Sequence, residues 1–442
     1  MPEKRFNPRD LISPPWRTCP ACGKDKFGVG LISGSRLMRR CWDCWYKQDY
    51  DLPKLQKKII YLDQFVISNL MKLKNPATKG HAAVAADPFW PGLHDLLFQL
   101  RQLQMICCPD SGSHVEESRT SPFNAELKKT YERLSGGITF KAFDSIKSRQ
   151  IGELALAWSE RREPAFDFDP RGALSSDPND WSERFYIVMG DNPFISEASL
   201  RQMRAELHSN IARLFRDVWD KEKRNFEYWY DLERFGYQGH LGNAVVRSRK
   251  ERLEAMLAHL PGTEISMEDL EKTLPSFAEG LLVGIQNIMR FPRGGGERSG
   301  EEIGHLETEF GKANRIAEAP FVRLQALMFA ATEMRAAQGQ KEPPNEGTTT
   351  DIDTVAHLLP YCDAMFMDNG CRSLLLDVPT ALRPLETAKV FSLNVKTQFL
   401  DCLRSIRDGI SAEHVQAIRE VYGDDHLESV PSAQQAVTAS KG

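Results

Sequence analysis

Three short apolar runs, each leading into an acidic residue, restrict this chain more than any other feature. Lys58-Ile59-Ile60-Tyr61-Leu62 leads into Asp63, Met105-Ile106-Cys107-Cys108-Pro109 into Asp110 and then Glu116 and Glu117, and Ala364-Met365-Phe366-Met367 into Asp368. Runs this apolar and this short, set among helical patterns, read as strands buried on both faces of a parallel sheet. In open α/β sheets the ligand crevice lies beyond the carboxyl ends of the strands, so the acidic residues are delivered to one place. A pocket lined with carboxylate oxygens suits Mg²⁺ or Mn²⁺, and ions held this way serve phosphodiester cleavage.

The residues around these runs sharpen the reading. Tyr61-Leu62-Asp63-Gln64-Phe65-Val66-Ile67-Ser68-Asn69 resembles the first strand and turn of PIN-like nucleases. Cys108-Pro109-Asp110-Ser111-Gly112-Ser113-His114-Val115-Glu116-Glu117-Ser118 is similar to that family's second-strand exit and helix start. Asp351-Ile352-Asp353, Tyr361-Cys362-Asp363 and Phe366-Met367-Asp368-Asn369 resemble its closing segment, so the likeness covers the two ends of the stretch and not its middle. It implies a PIN-like parallel sheet flanked by helices, and a divalent-metal site built from Asp63, Glu117, Asp351 and Asp368. Asp351 fits the third position better than Asp353, because the seventeen residues to Asp368 leave room for a helix, a turn and a strand. Glu117 is preferred to Glu116, Asp363 is an additional or supporting ligand, and His114 is a candidate phosphate-binding residue. The competing reading is plainer: an Asp at a strand exit often only caps the next helix or closes an Asx-turn, and Asp351 would then cap the helix through Leu359. His114 and Glu117, three apart on one helical face, could also form part of a zinc site.

Cys19-Pro20-Ala21-Cys22 and Cys41-Trp42-Asp43-Cys44 are two CxxC pairs with eighteen residues between them. That spacing is the signature of a structural zinc site of four thiolates. The intervening segment, from Phe27 to Met38, reads as a hairpin, which predicts an N-terminal zinc ribbon over residues 1–52. So short a module cannot bury enough apolar surface to fold alone, and metal binding supplies the energy. Disulfides are the alternative; the five remaining cysteines are scattered, and no signal-peptide pattern opens the chain.

Residues 1–60 carry thirteen Lys or Arg against six Asp or Glu, a balance of +7 in a chain whose total is −4. A basic ribbon bearing Trp16, Trp42, Trp45 and Tyr46 offers phosphate neutralisation and stacking faces together, with Arg36, Arg39 and Arg40 as candidate phosphate contacts. Nucleic acid, RNA before single-stranded DNA, is the expected partner. The alternatives are that the aromatics are the ribbon's core, or that the ribbon or a helical insertion docks a protein. No run is long and apolar enough for a membrane span, and a cytoplasmic location is expected.

Beyond the ribbon, the expected order is a first core segment over 53–127, a mainly helical insertion over 128–317, a second core segment over 318–428 and a disordered tail over 429–442. Helical spacing is found at 122–135, 141–162, 195–234, 246–260, 267–289 and 318–337, an isolated strand is expected at 184–189, and the Gly-rich 293–300 reads as a loop. The reading is a metal-dependent endonuclease, with a bacterial defence or toxin-like role by analogy only. A non-catalytic nucleic-acid-binding or regulatory zinc-ribbon protein is the alternative.

Overall fold

The computed structural model describes residues 7–119, 121–181, 205, 209–219, 221–258, 276–292, 295–383 and 388–428. The N-terminal part is an antiparallel sheet of β1 Ser13–Arg17, β2 Phe27–Ser33, β3 Arg36–Cys41 and β4 Lys47–Asp51, side by side in that order. The β2–β3 hairpin closes on Gly34-Ser35, where Gly34 takes the left-handed φ of +59° that two-residue hairpin loops require.

The chain then enters β5 Lys58–Leu62, crosses through α1 Gln64–Lys74, α2 His81–Ala86 and α3 Phe89–Gln102, and forms the two-residue β6 Ile106–Cys107. A long helical stretch follows: α4 Gly112–Arg119, α5 Asn124–Ser135, α6 Phe143–Ser159, α7 Phe226–Ala258, α8 Phe277–Arg290, α9 Gly300–Lys312, α10 Pro320–Ala337 and α11 Glu346–Leu358. Then come β7 Ala364–Phe366, α12 Asn369–Asp377, β8 Lys389–Phe391, α13 Lys396–Asp408 and α14 Ala412–Tyr422. The second sheet has the order β6-β5-β7-β8, and every pairing in it is parallel.

Residues 59–62 of β5 are all buried, because helices cover both faces of this sheet. Strand periodicity divides them. Ile59 and Tyr61, with Met365 and Met367, join the core formed by α10 and α11, whereas Ile60, Leu62 and Phe366 join the core formed by α1, α3, α5 and α13. A further core, Ile151 and Leu154 of α6 with Ile285, Met289, Phe310 and Phe321, holds α6, α8, α9 and the start of α10 together. This is a large α/β protein whose parallel sheet is flanked by helices.

Several helix expectations shift. The interval 235–245, left between two expected helices, lies inside the single 33-residue α7. The segment after the Gly-rich stretch is α9, opened by a capping box in which Ser299 and Glu302 satisfy each other's backbone N–H groups. The expected strand at 184–189 and the tail over 429–442 lie outside the described residues.

The antiparallel sheet is anchored to the rest of the chain. Val29, Leu37, Leu52 and Leu55 pack with Leu103, Trp181 and the Val415, Ile418 and Val421 face of α14. Arg39, 1 % exposed, donates through Nη1 to the carbonyls of Pro15 and Phe27 and through Nη2 to the carbonyl (2.6 Å) and carboxylate (3.1 Å) of Glu420. The expectation that Arg39 contacts phosphate is therefore corrected: its guanidinium is buried and both terminal nitrogens are bonded inside the fold. Arg39→Ala is expected to destabilise the protein by about 2–3 kcal/mol, mostly by stranding buried carbonyls, since Glu420 is partly in water. Urea melts of the variant check it, and an unchanged midpoint would overturn it.

Candidate functional site

Two candidate sites emerge, one built from thiols and one from carboxylates. In the first, the ligand atoms of Cys19, Cys22, Cys41 and Cys44 all lie within 4.8 Å of one another. The Sγ atoms of Cys19 and Cys44 are 3.6 Å apart and those of Cys22 and Cys41 are 3.7 Å apart. The edge of a tetrahedron of zinc–sulfur bonds is about 3.8 Å, so the four sulfurs are spaced for zinc. The backbone repeats itself around the pairs. Gly23 N–H donates to the Cys19 carbonyl and Trp45 N–H to the Cys41 carbonyl, and both Gly23 (φ +70°) and Trp45 (φ +63°) are left-handed. Lys24 of the first knuckle pairs with Asp43 of the second at 2.8 Å. Burial raises the Cys19 thiol, but backbone N–H groups of Cys22 and Ala21 and the neighbouring thiols outweigh it and bring Cys19 down to about 7. All nine cysteines are free.

Trp16 and Trp45 are among the exposed large side chains, while the small core of the module is Cys19, Phe27 and Cys41 with Tyr46 against it. Trp16 lies flat against β2, and only a glycine fits beneath it: a Cβ on Gly28 would stand 2.5 Å from the indole. Arg9 stacks over both Trp42 and Trp45, Arg40 over Trp45 and Lys26 over Trp42, which gathers charge and aromatic surface on one face.

The second site lies beyond the carboxyl ends of β5 and β7. Asp63 follows β5 and caps α1, accepting from Gln64 N–H at 2.6 Å, and Asp368 follows β7 and caps α12, accepting from Cys371 N–H at 2.6 Å. Both therefore cap helices, and each carboxylate keeps a second oxygen. Burial, then the charge of Glu117, then that of Asp368, raises Asp63 from 3.8 to about 7. Burial, with Asp63, Asp368 and Glu117 acting in that order, raises Asp351 to about 8. Four carboxyl groups from four separate segments therefore sit in a shared field, and all the charged groups acting on Asp351 are carboxylates. Their oxygens are more widely spread than the thiols: among the described residues, the four cysteines are the one set of three or more ligand atoms within 4.8 Å.

The choices between neighbours find physical reasons. Asp351 and Asp353, about 200° apart around α11, face different surroundings. Asp353 accepts from Gln325 at 2.6 Å and lies near Lys147. Glu117 acts on Asp63 and Asp351, whereas Glu116 is exposed. Asp110, at the exit of β6, is raised to about 6 chiefly by burial, and is absent from the groups acting on Asp351.

Three expectations are corrected. Asp351 does not open its helix: α11 begins at Glu346 with Asn345 as its cap, so Asp351 projects from the second turn. Asp363 stands at the amino-terminal end of β7, where its carboxylate accepts from Ile59 N–H and Lys58 Nζ at 2.8 Å each. It therefore staples β7 to β5 at the opposite end of the strands and is separated from Asp368 by the length of the strand. His114 is buried between the rings of Tyr61 and Tyr131, at 4.9 and 4.8 Å, its Nδ1 accepting from Ser111 N–H. Burial pushes its pKa down to about 3, so it is a neutral packing residue without the charge to hold phosphate. Its Nδ1 is taken by Ser111 N–H, and among the described residues it belongs to no cluster of three or more closely spaced metal-ligand atoms.

Sequence reasoning passed over the scaffold of the crevice. Gln64 accepts from the Tyr131 hydroxyl and donates to Ser118 Oγ at 3.1 Å, tying α1 to α5 and α4, and Ser113 and Thr354 hydroxyls meet at 3.4 Å between α4 and α11. Only the position of Gln64 directly after Asp63 hinted at this. Among the described residues, no helix is long and apolar enough to cross a membrane. Compared with protein-family models, curated proteins and solved structures, the chain gives no match.

Proposed function

We propose that the acidic crevice is the active site of a divalent-metal-dependent nuclease of PIN-like type, with RNA as first substrate and single-stranded DNA as second, and that the ribbon is a zinc module gripping the nucleic acid. The observation that carries this reading is that Asp63 and Asp368 follow adjacent parallel strands at their carboxyl ends and, with Glu117 from a third segment, bear electrostatically on Asp351 from a fourth. Asp63 and Asp351, half-buried and with carboxylates for neighbours, are costly to ionise, and all-oxygen donors suit a hard ion. Mg²⁺ or Mn²⁺ bound there supplies Lewis-acid activation of water and neutralises charge on the phosphate. The chain's own contribution is to fix the donors: Asp63 and Asp368 are locked as helix caps, Asp351 is held on the rigid α11, and Gln64 is braced between Tyr131 and Ser118. Arg9, Lys26 and Arg40 with Trp42 and Trp45 provide a charged, stacking face suited to a single strand.

A second reading, a non-catalytic nucleic-acid-binding protein, is favoured by one observation: the thiols alone are already spaced for a metal. Labelled RNA and single-stranded DNA, incubated with the protein in Mn²⁺ or in EDTA, separate the two. Metal-dependent cleavage is expected, lost in Asp368→Asn and retained in Asp353→Asn and Asp363→Asn. Binding without cleavage of any substrate would install the second reading.

A further inference from the structure

A cavity of about 510 Å³, within the size range of small-molecule sites, lies at the end of the parallel sheet opposite the acidic crevice. Edge strand β6 lines it with Ile106 and Cys107, and Lys57, just before β5, marks its place at the amino-terminal ends of the strands. Its charged lining, among the described residues, is Lys57, Arg101 and Arg133 against the carboxylate of Asp180, with His426 beside them. Lys57 and His426 are engaged: Nζ of Lys57 donates to the Asp180 carbonyl at 3.3 Å, and Nε2 of His426 meets the Gln102 carbonyl at 3.0 Å. Among the described residues, Arg101 and Arg133 have no ion-pair partner. Each stands in the last turn of its helix, α3 or α5, where a cation also answers exposed carbonyls. Arg101, however, reaches across to the end of α5: a Cβ on Gly136 would stand 2.3 Å from its Nη2, so the missing side chain is what lets the guanidinium lie there.

A second observation points to a ligand. Gln104 is 6 % exposed, lines the same cavity and takes a left-handed φ of +55°, which a glutamine rarely adopts. Among the described residues its side-chain amide has no hydrogen-bond partner. A buried amide without a partner is costly, and a polar ligand edge would satisfy it.

We propose that this cavity is a mononucleotide-binding site, in which Arg101 and Arg133 take the phosphate, the Gln104 amide reads the edge of the base, and Phe98 and Ile138 cover its ring. Guanidinium and phosphate oxygens match in pairs, and a glutamine amide pairs with the N6 and N7 edge of adenine. Three cations against one carboxylate leave the lining positive, as a phosphate monoester requires.

Titration calorimetry of the full-length protein with AMP, without added Mg²⁺ or Mn²⁺, should show one saturable site, with adenosine and inorganic phosphate each binding about tenfold or more weakly. Arg133→Gln, at an exposed position and so harmless to folding, should weaken AMP and phosphate alike by about tenfold. Gln104→Leu should weaken AMP and leave phosphate unchanged. Arg404→Gln, on α13 and outside the cavity, should bind AMP as the parent does. So should Asp368→Asn, because the acidic crevice takes no part. No saturable binding at millimolar AMP, adenosine bound as tightly as AMP, or an affinity indifferent to both Arg133→Gln and Gln104→Leu would overturn the proposal. Loss of AMP binding in Asp368→Asn would overturn it as well, by moving the ligand to the crevice.

Discussion

Asp63→Asn and Asp351→Asn are expected to lower metal-dependent cleavage by about 10³-fold while making the metal-free protein more stable. The two effects share a cause. Asp63 and Asp351 are raised to about 7 and about 8 by burial and by carboxylate neighbours, so each binds its proton more tightly in the folded chain than in the unfolded one. Stability from such a group is fully present below the unfolded pKa and is lost as pH rises through the folded value. The parent should therefore weaken from about pH 4 upward and level off above about pH 8. An Asn carries no charge to penalise, and at position 63 it still caps α1. The gain should be absent near pH 4 and reach on the order of 1–3 kcal/mol at pH 8, after allowance for coupling and for solvent. Mn²⁺ should raise the parent's melting temperature at pH 8, do little at pH 5 and do little to either variant. Thermal melts with EDTA or Mn²⁺ across this range check it; variants that melt below the parent at pH 8 would contradict a crowded carboxylate site.

The second large effect concerns the thiols. Purified protein should hold close to one equivalent of zinc, and Cys19→Ser or Cys44→Ser should release it, because three thiolates leave a tetrahedral site incomplete. The antiparallel sheet has little core of its own, so losing zinc should unfold it and open it to protease. Damage should spread further than chain order suggests. Val29, Leu37 and Arg39 pack on α14, so the hydrogen-exchange protection of residues 412–422 should fall as well. The parallel sheet, which begins at Lys58, should persist. Tightly bound zinc in the Cys19→Ser protein, or its absence from protein prepared without chelator, would count against the site.

What could be read from the sequence follows the range of the interactions. β5, β6 and β7 announced themselves because strands covered on both faces are apolar throughout, and the paired thiols because ligand spacing is local. β8 did not: Lys389-Val390-Phe391 is three residues long, begins with a charge and sits at the sheet edge. The middle of α7 was hidden by Gly236, Gly239 and Gly242, whose poor helix propensity is overridden by packing of its inner face against α10. The capping box lies open in the sequence as Ser299 and Glu302 three residues apart, just past the glycines. In the crevice, the candidate residues could be named from their strand exits, but two roles could not be judged. Asp363 differs from Asp368 by which end of β7 it occupies, and His114 is defined by two tyrosine rings that sequence does not place beside it. Arg39 looked like any surface arginine because its partner, Glu420, is 381 residues away.

The parallel pairing of β5 with β7 has a consequence for biosynthesis. The two strands are separated by about 300 residues, so at ~5–20 residues per second a ribosome takes on the order of a minute or less to deliver β7 after β5 has emerged. Throughout that delay β5 presents a bare edge and Ile60, Tyr61 and Leu62 lack their final cover, the conditions under which strands find the wrong partners. The helices made in the interval, α10 and α11 last among them, reach the sheet just before the strand that closes it. Slowing translation between Glu117 and Asp351 should therefore lower the soluble yield of this protein more than slowing it after Phe391.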